Sequence, residues 1–146
     1  MRRQQSGFTL IELITVVVIL GVLAAFAIPR FASLETEARI GAIKGLAGSV
    51  RSGAALAHAK WMAAGNSPSS ITMEGSSSVA LSDGYPTAAA AGIDGTLQDV
   101  SGFSVSGSAP RVWGLDGAPT PANCSVSYAA SVSGAAPVIT TTTSGC

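Results

Sequence analysis

Residues 6–20 have the sequence SGFTLIELITVVVIL, in which one carboxylate, Glu12, stands near the start of an apolar run. The run covers residues 8–28, and Glu12 is its only charged residue. About 20 consecutive apolar residues are typical of a membrane-spanning helix. An ionisable side chain inside such a helix is costly and usually has a function. The sequence therefore predicts a membrane helix in which Glu12 serves a purpose.

Charge and cysteine content limit the class of protein. Eight basic residues balance eight acidic ones, which argues against a nucleic-acid-binding protein, since phosphates require a basic surface. The two cysteines, Cys124 and Cys146, follow an export-like N-terminus and indicate a disulfide in an oxidising compartment. The alternative is two unrelated buried thiols. The cysteine spacing and the distant His58 do not match a zinc site, so we expect neither metal nor cofactor.

Three hypotheses compete for the N-terminus. It could be a secretory signal, with Ala25-Phe26-Ala27 as the cleavage site. It could be a permanent anchor, with Arg2 and Arg3 on the cytoplasmic side. The third hypothesis is a short leader, MRRQQSG, removed after Gly7 while the apolar helix is retained. Glu12 favours the third, because a disposable signal gains nothing from a carboxylate that opposes insertion.

Cleavage after Gly7 would supply a partner for Glu12. It would free the α-amino group of Phe8, which is a cation near neutral pH. That amine cannot comfortably reach Glu12 of its own helix, but it could reach Glu12 of a neighbouring helix that is offset along the axis. Pairing on assembly would remove the cost of an unpaired buried charge. Glu12 would thus set the register between subunits.

The segment GFTLIEL at 7–13, with AIPRF at 27–31, resembles the N-terminus of type IV pilins and the related pseudopilins. In that family a prepilin peptidase cuts after the glycine and methylates the new N-terminus. The resemblance implies cleavage after Gly7, Phe8 as the mature terminus, and Glu12 as the assembly carboxylate. The seven-residue leader resembles those of the type IVa class. Scattered segments resemble mannose-sensitive haemagglutinin-type pilins; they are PRF, GAALAHAK, GYPTAAAAGI, and the tail from NCSVSYAA to TTTTSGC.

The helical pattern continues beyond the apolar run. Pro29 should bend the helix, because it removes one backbone donor. Apolar residues then recur every three or four positions, at Phe31, Leu34, Ala38, Ala42, Leu46, Val50, Ala54, Ala57 and Trp61. Gly65-Asn66, with Pro68 beyond, predicts the end of the helix.

After residue 65 the composition changes to Ser, Gly and Thr. Six short segments predict strands: SSITM, SVALS, GFSVSG, PRVWGL, CSVSYAA and APVITTTT. The expected fold is α+β, with the upper half of a long N-terminal helix packed on a C-terminal antiparallel sheet, as in the pilin fold. The expected regions are a leader at 1–7, a membrane and filament-core helix at 8–29, its amphipathic continuation at 30–65, and a β-rich domain with a C-terminal disulfide loop at 66–146.

The sequence thus predicts a structural rather than catalytic protein. No nucleophile, metalloprotease or phosphate-loop motif occurs in the sequence. His58 is the only histidine, and we expect it to occupy a solvated position on the helix. The aspartates are expected to form turns rather than a calcium site.

The resemblance implies the major subunit of a type IV pilus, a homopolymer with a role in adhesion or surface attachment. Its expected partners are prepilin peptidase, the pilus assembly machinery and the inner membrane, and its final location is the extracellular filament. The alternatives are a pseudopilin of a type II secretion system, or a secreted enzyme or binding domain with a conventional signal peptide.

Overall fold

The computed structural model describes residues 7–75 and 78–146, without the side chains of residues 29–32. One α-helix, α1, spans Leu10–Ala63 and has 54 residues. Two compact units share it, one ending at Glu37 and the other being Ala38–Cys146. Leader residues 1–6 lie outside the described part of the chain. The bend predicted at Pro29 falls among the residues whose side chains are not described and stays a prediction.

The helix ends where the sequence predicted. Gly65 and Asn66 both have positive φ angles, 86° and 58°. Their amides donate to carbonyl oxygens of the last turn, Gly65 to Met62 at 3.1 Å and Asn66 to Trp61 at 3.2 Å. Left-handed residues of this kind commonly close helices, because glycine and asparagine adopt the conformation at low cost.

Seven strands follow among the described residues, and they include all six predicted segments. Their bounds are β1 Ser70–Thr72, β2 Ser78–Ser82, β3 Tyr85–Pro86, β4 Phe103–Ser106, β5 Arg111–Leu115, β6 Ser125–Ala129 and β7 Val138–Thr142. The sequence analysis missed β3, which has only two residues. Asp83-Gly84 forms the turn between β2 and β3, with φ angles of 51° and 80°, as expected for an Asp-Gly hairpin.

The strands form two antiparallel sheets. Strands β1-β2-β3 make a three-stranded sheet, and β4-β5-β6-β7 make a four-stranded sheet. Between them the chain forms turns and a short 3-10 helix, Ile93–Thr96. In the larger sheet Trp113 is the partner of both Val105 and Val126, and Tyr128 is the partner of Ile139. The α+β class predicted from the sequence is confirmed, with its sheet divided into two.

The core lies between the upper part of α1 and the sheets. On α1, Ile43, Ala47 and Val50 are fully buried, and they belong to one cluster with Trp113 and Tyr128. A smaller cluster, Ala57, Ile71 and Val79, lies under the three-stranded sheet. Each fully buried large side chain contributes roughly 1.5–3 kcal/mol, so one face of α1 holds both sheets in place.

The predicted apolar stripe on α1 is right from Leu46 to Ala57 and wrong from Leu34 to Ala42, while its first member, Phe31, lies outside the described side chains. Leu46, Val50, Ala54 and Ala57 are buried as predicted. Leu34 is 63% exposed, and Ala38 and Ala42 are also exposed. Alanine and glycine occur on every side of this helix, so spacing alone did not distinguish the face that carries the larger Ile40 and Ile43.

Tyr128 connects the two sheets. Its phenol lies in β6 and donates a hydrogen bond of 2.7 Å to the carbonyl oxygen of Pro86 in β3. Burial raises the pKa of the Tyr128 phenol above its usual value, so it remains a neutral donor.

The C-terminal residues are fixed to both the sheet and the helix. Cys124, directly before β6, forms a disulfide with Cys146. Arg39 of α1 donates 2.8 Å and 3.2 Å hydrogen bonds to the carbonyl oxygens of Cys146 and Gly117. The segment containing the last strand is therefore held by one covalent and several polar links.

The disulfide should stabilise the β-rich unit. The Cys124→Ser/Cys146→Ser double variant should lose about 3 kcal/mol of unfolding free energy, because the unfolded chain regains the entropy of an open loop. Denaturant unfolding of exported protein in detergent measures this loss, with Ser144→Ala as an exposed control. Two free thiols in a non-reducing mass map of the wild-type protein would contradict the bridge.

The helix glycines should differ in their tolerance of a side chain. A Cβ at Gly53 would lie 2.4 Å from the Thr96 hydroxyl oxygen, whereas a Cβ at Gly41 would meet nothing within 4 Å. Gly53→Ala should therefore destabilise the unit, and Gly41→Ala should stabilise it by about 0.5–1 kcal/mol through helix propensity. Thermal unfolding of both variants tests the difference. Equal shifts would show that residues 93–96 do not pack closely on α1.

Candidate N-terminal assembly site

The N-terminal part of α1 exposes an almost continuous apolar surface. Phe8 is 88% exposed, Leu10 74% and Ile11 72%, and the large apolar residues from Leu13 to Ile28 are all at least half exposed. An 18-residue window of the helix reaches a mean hydropathy of 2.8 with none of it buried. Its length and composition suffice to cross a membrane. Nothing in the described part of its unit covers this surface, so it is available to contact lipid or other helices.

Glu12 is bound within its own helix. Its Oε2 accepts a 2.9 Å hydrogen bond from the backbone N–H of Thr9 and a 2.7 Å bond from the Thr9 hydroxyl. The backbone N–H of Glu12 lies 3.3 Å from the same hydroxyl oxygen. This reciprocal arrangement is a capping box, in which Thr9 is the N-cap and Glu12 the third helical residue. It explains why α1 begins at Leu10 rather than at Phe8.

Thr9 is a residue that the sequence analysis missed. The signal was present, because Thr9-Leu-Ile-Glu12 matches the T-x-x-E pattern of capping boxes. That analysis assigned Glu12 only to a neighbouring subunit. The structure adds an intramolecular role and leaves Oε1 of Glu12 without a described hydrogen-bond donor.

Gly7 and Phe8 lie before the helix, exposed and without regular secondary structure. The peptide bond between them is therefore accessible in a segment that a peptidase can bind in extended form. Cleavage there would place the new amine one residue before the N-cap. The structure brings Phe8, Thr9 and Glu12 together at one helix end, while Cys124 and Cys146 belong to the other unit.

His58 does not have the solvated position predicted for it. It is half-buried, its Nδ1 lies 3.0 Å from the carbonyl oxygen of Gly84, and its ring stacks on Tyr85 at 4.1 Å. Trp61, three residues later on α1, also stacks with His58, and the centres of the two rings are 5.6 Å apart. The imidazole thus serves to pack α1 against β3.

The aspartates are used in local contacts. Asp94 pairs with Arg111, and Asp116 accepts from the Ser104 hydroxyl at 2.5 Å. Asp99 accepts from the Ser101 amide and hydroxyl, and these hydrogen bonds lower the pKa of the Asp99 carboxyl. Among residues 7–75 and 78–146, no group of three or more His, Cys, Asp or Glu side chains could hold a metal ion.

Comparison with known proteins supports the N-terminal resemblance. Residues 2–28 match the family model of the prokaryotic N-terminal methylation motif. The chain is 57% identical over 44 residues to the type II secretion system core protein G of Pseudomonas aeruginosa, covering 30% of this chain and 31% of that protein. It is 49% identical over 52 residues to the type IV narrow pilus major component PilA5 of Thermus thermophilus, covering 36% and 45%. The chain thus spans less than half the length of either relative.

No solved structure matches the chain. The motif and the two relatives confirm the resemblance to prepilin-like proteins. One relative is a pilus component and the other a secretion-system protein, so the sequence similarity is compatible with either kind of protein.

Loss of the capping box should loosen the first turn of α1. Thr9→Val should lower the protection of the first-turn amides by about fivefold, because losing an N-cap costs about 1 kcal/mol. Thr9→Ser keeps the hydroxyl and should retain protection. Hydrogen exchange in detergent micelles measures both variants. Equal protection in Thr9→Val and wild-type protein would show that the box does not stabilise the helix end.

Proposed function

We propose that the chain is made as a prepilin and, after removal of its first seven residues, polymerises through α1 as the structural subunit of a type IV pilus. The observation that carries the proposal is the uncovered apolar surface of residues 8–28, with one carboxylate at its start, inside a methylation motif. Its role is structural, with no catalytic step.

The apolar surface has two successive environments in this proposal. Before assembly, residues 8–29 lie in the inner membrane, where lipid covers the exposed side chains. During assembly, helices of other copies replace the lipid. The same side chains then form the core of the filament, and the β-rich unit at 66–146 forms its outer surface.

The register between subunits depends on Glu12. Prepilin peptidase cuts after Gly7 and methylates the new amine of Phe8. One oxygen of Glu12 remains hydrogen-bonded to Thr9. The other accepts a hydrogen bond from the Phe8 ammonium group of a neighbouring copy. A fixed carboxylate binds this cation at a lower entropic cost than a mobile one would. Mispaired registers leave a charge unpaired in an apolar surrounding and are therefore disfavoured.

The features of the C-terminal half suit a subunit of an exposed pilus better than a subunit of a secretion pseudopilus. An exposed filament must resist local unfolding and proteolysis, which begin in segments that few contacts hold. Here the disulfide closes the segment that carries β7, and Arg39 binds its last residue. We expect long filaments that support attachment of cells to surfaces.

The second candidate is a pseudopilin of a type II secretion system, which the 57% identity to core protein G favours. Deletion of the chain separates the two. Loss of surface filaments and surface attachment with intact protein secretion supports the pilus. Loss of secretion with intact filaments would replace the proposal with the pseudopilin.

The Glu12 charge can be tested separately from its capping role. Glu12→Gln retains a capping partner for Thr9 but removes the charge, whereas Glu12→Ala removes both. Both variants should insert into the membrane at least as well as wild type, because a carboxylate opposes insertion. Both should yield far fewer sheared filaments, because the Phe8 amine loses its partner.

Glu37→Ala, which removes an exposed carboxylate later in α1, serves as the matched control and should assemble normally. Membrane and sheared-filament fractions are quantified from the same cultures. Normal piliation by Glu12→Gln would show that capping, rather than charge pairing, is what assembly requires of this residue.

A further inference from the structure

Charge is divided unevenly within the unit Ala38–Cys146. The helical part, residues 38–63, carries four basic residues and no acidic one: Arg39, Lys44, Arg51 and Lys60. Residues 64–146 carry one basic residue, Arg111, and five acidic ones: Glu74, Asp83, Asp94, Asp99 and Asp116. Within this unit, the helical residues 38–63 therefore carry a net positive charge and residues 64–146 a net negative charge.

The four helix cations differ in whether they contact the described residues of the unit. Arg39 binds the carbonyl oxygen of Cys146, and Lys60 donates to the carbonyl oxygen of Thr72. Lys44 and Arg51 are exposed and make no hydrogen bond or ion pair with any residue that the structure describes. They are seven residues apart, so they lie on one side of α1, about 10 Å apart along its axis. This pair is called the basic ridge below.

A groove lies on another side of the same helix. It has a volume of about 720 Å³, and its walls include Leu56 of α1 and residues 96–99. Gly45 and Gly48 lie on the helix side, and a Cβ at either would meet nothing within 4 Å. Leu56 is 60% exposed, so the groove has an apolar residue that the monomer does not cover.

The rim of this groove is acidic. Asp99 lines it directly, and an adjoining depression of about 460 Å³ that shares Leu56 and residues 96–98 is lined by Glu74. Both acids are exposed. The carboxylate of Asp99 remains ionised, since its hydrogen bonds from Ser101 lower the Asp99 pKa. The groove therefore combines negative charge with open space over a helix backbone.

We propose that the groove receives the basic ridge of a second copy of this chain, with Lys44 and Arg51 facing Asp99 and Glu74. The inference rests on the proposed polymerisation and adds a contact outside the apolar helix core. The ridge lies about 120° around α1 from the groove, so each copy can offer both surfaces at once. A contact between two different surfaces is heterologous and continues into an open polymer rather than closing as a dimer.

Charge reversal tests the pairing. Lys44→Glu/Arg51→Glu and Glu74→Lys/Asp99→Lys should each lower sheared-filament yield by about tenfold, because like charges then face each other at every contact. Combining all four substitutions should restore most of the yield. Asp116→Lys changes an exposed charge outside the groove and should assemble normally. Low yield in both reversals without recovery in the combined variant, with the disulfide formed in all, would overturn the pairing.

Filling the groove is an independent test that leaves the charges unchanged. Gly48→Leu has room in the monomer and should improve helix propensity, yet it should lower filament yield by about tenfold because docking needs the space. Gly41→Leu also adds a side chain in open space, does not line the groove, and should assemble like wild type. Equal yields from the two variants would overturn the proposal.

The inference can fail without the proposed function failing. Wild-type filament yield in every groove and ridge variant, alongside loss of filaments in Glu12→Gln, removes the contact and leaves the pilus intact. Normal filaments with lost surface attachment would assign the groove to a different partner and overturn a second copy as its occupant. Absence of this chain from filaments of wild-type cells would overturn the proposed function itself.

Discussion

The organisation of this protein depends on an apolar helix end that its own unit does not cover. From Phe8 to Ile28 the large apolar side chains are exposed to solvent in the isolated chain, and water is the least favourable surrounding for them. Lipid chains and the helices of other copies can both shield these apolar side chains from water. In the proposed assembly the chain exchanges lipid for the helices of other copies, and pairing of the Glu12 carboxylate would make that exchange depend on register.

One helix connects this end to the folded unit. Its later turns bury Ile43, Ala47 and Val50 against the sheets, and its glycines at 45 and 48 leave the side facing away from the core open. Large residues there would raise helix propensity, so their absence costs stability. That cost is consistent with a surface that must remain accessible to another copy. Arg39 and the disulfide fix Cys146 beside the helix and the strand β6.

Much of the fold could be predicted from the sequence because its signals are local. The helix end at Gly65-Asn66, the Asp83-Gly84 turn and all six strand segments follow from turn chemistry and alternation. The choice of buried helix face could not be predicted, since alanine occurs on every side. The stacking of His58 on Tyr85 joins residues 27 positions apart, and composition contains no information about it. The capping role of Thr9 could be predicted, because Thr9 and Glu12 have the T-x-x-E spacing of a capping box.

The mature N-terminus tests the central claim most directly. Intact mass and N-terminal sequencing of the protein from sheared filaments should show a chain that begins at Phe8 and carries a methyl group on its α-amine. The leader arginines would then be absent and Glu12 would remain in an uncovered apolar helix. A filament protein that retains Arg2, or an exported protein that begins at Ile28, would contradict the account.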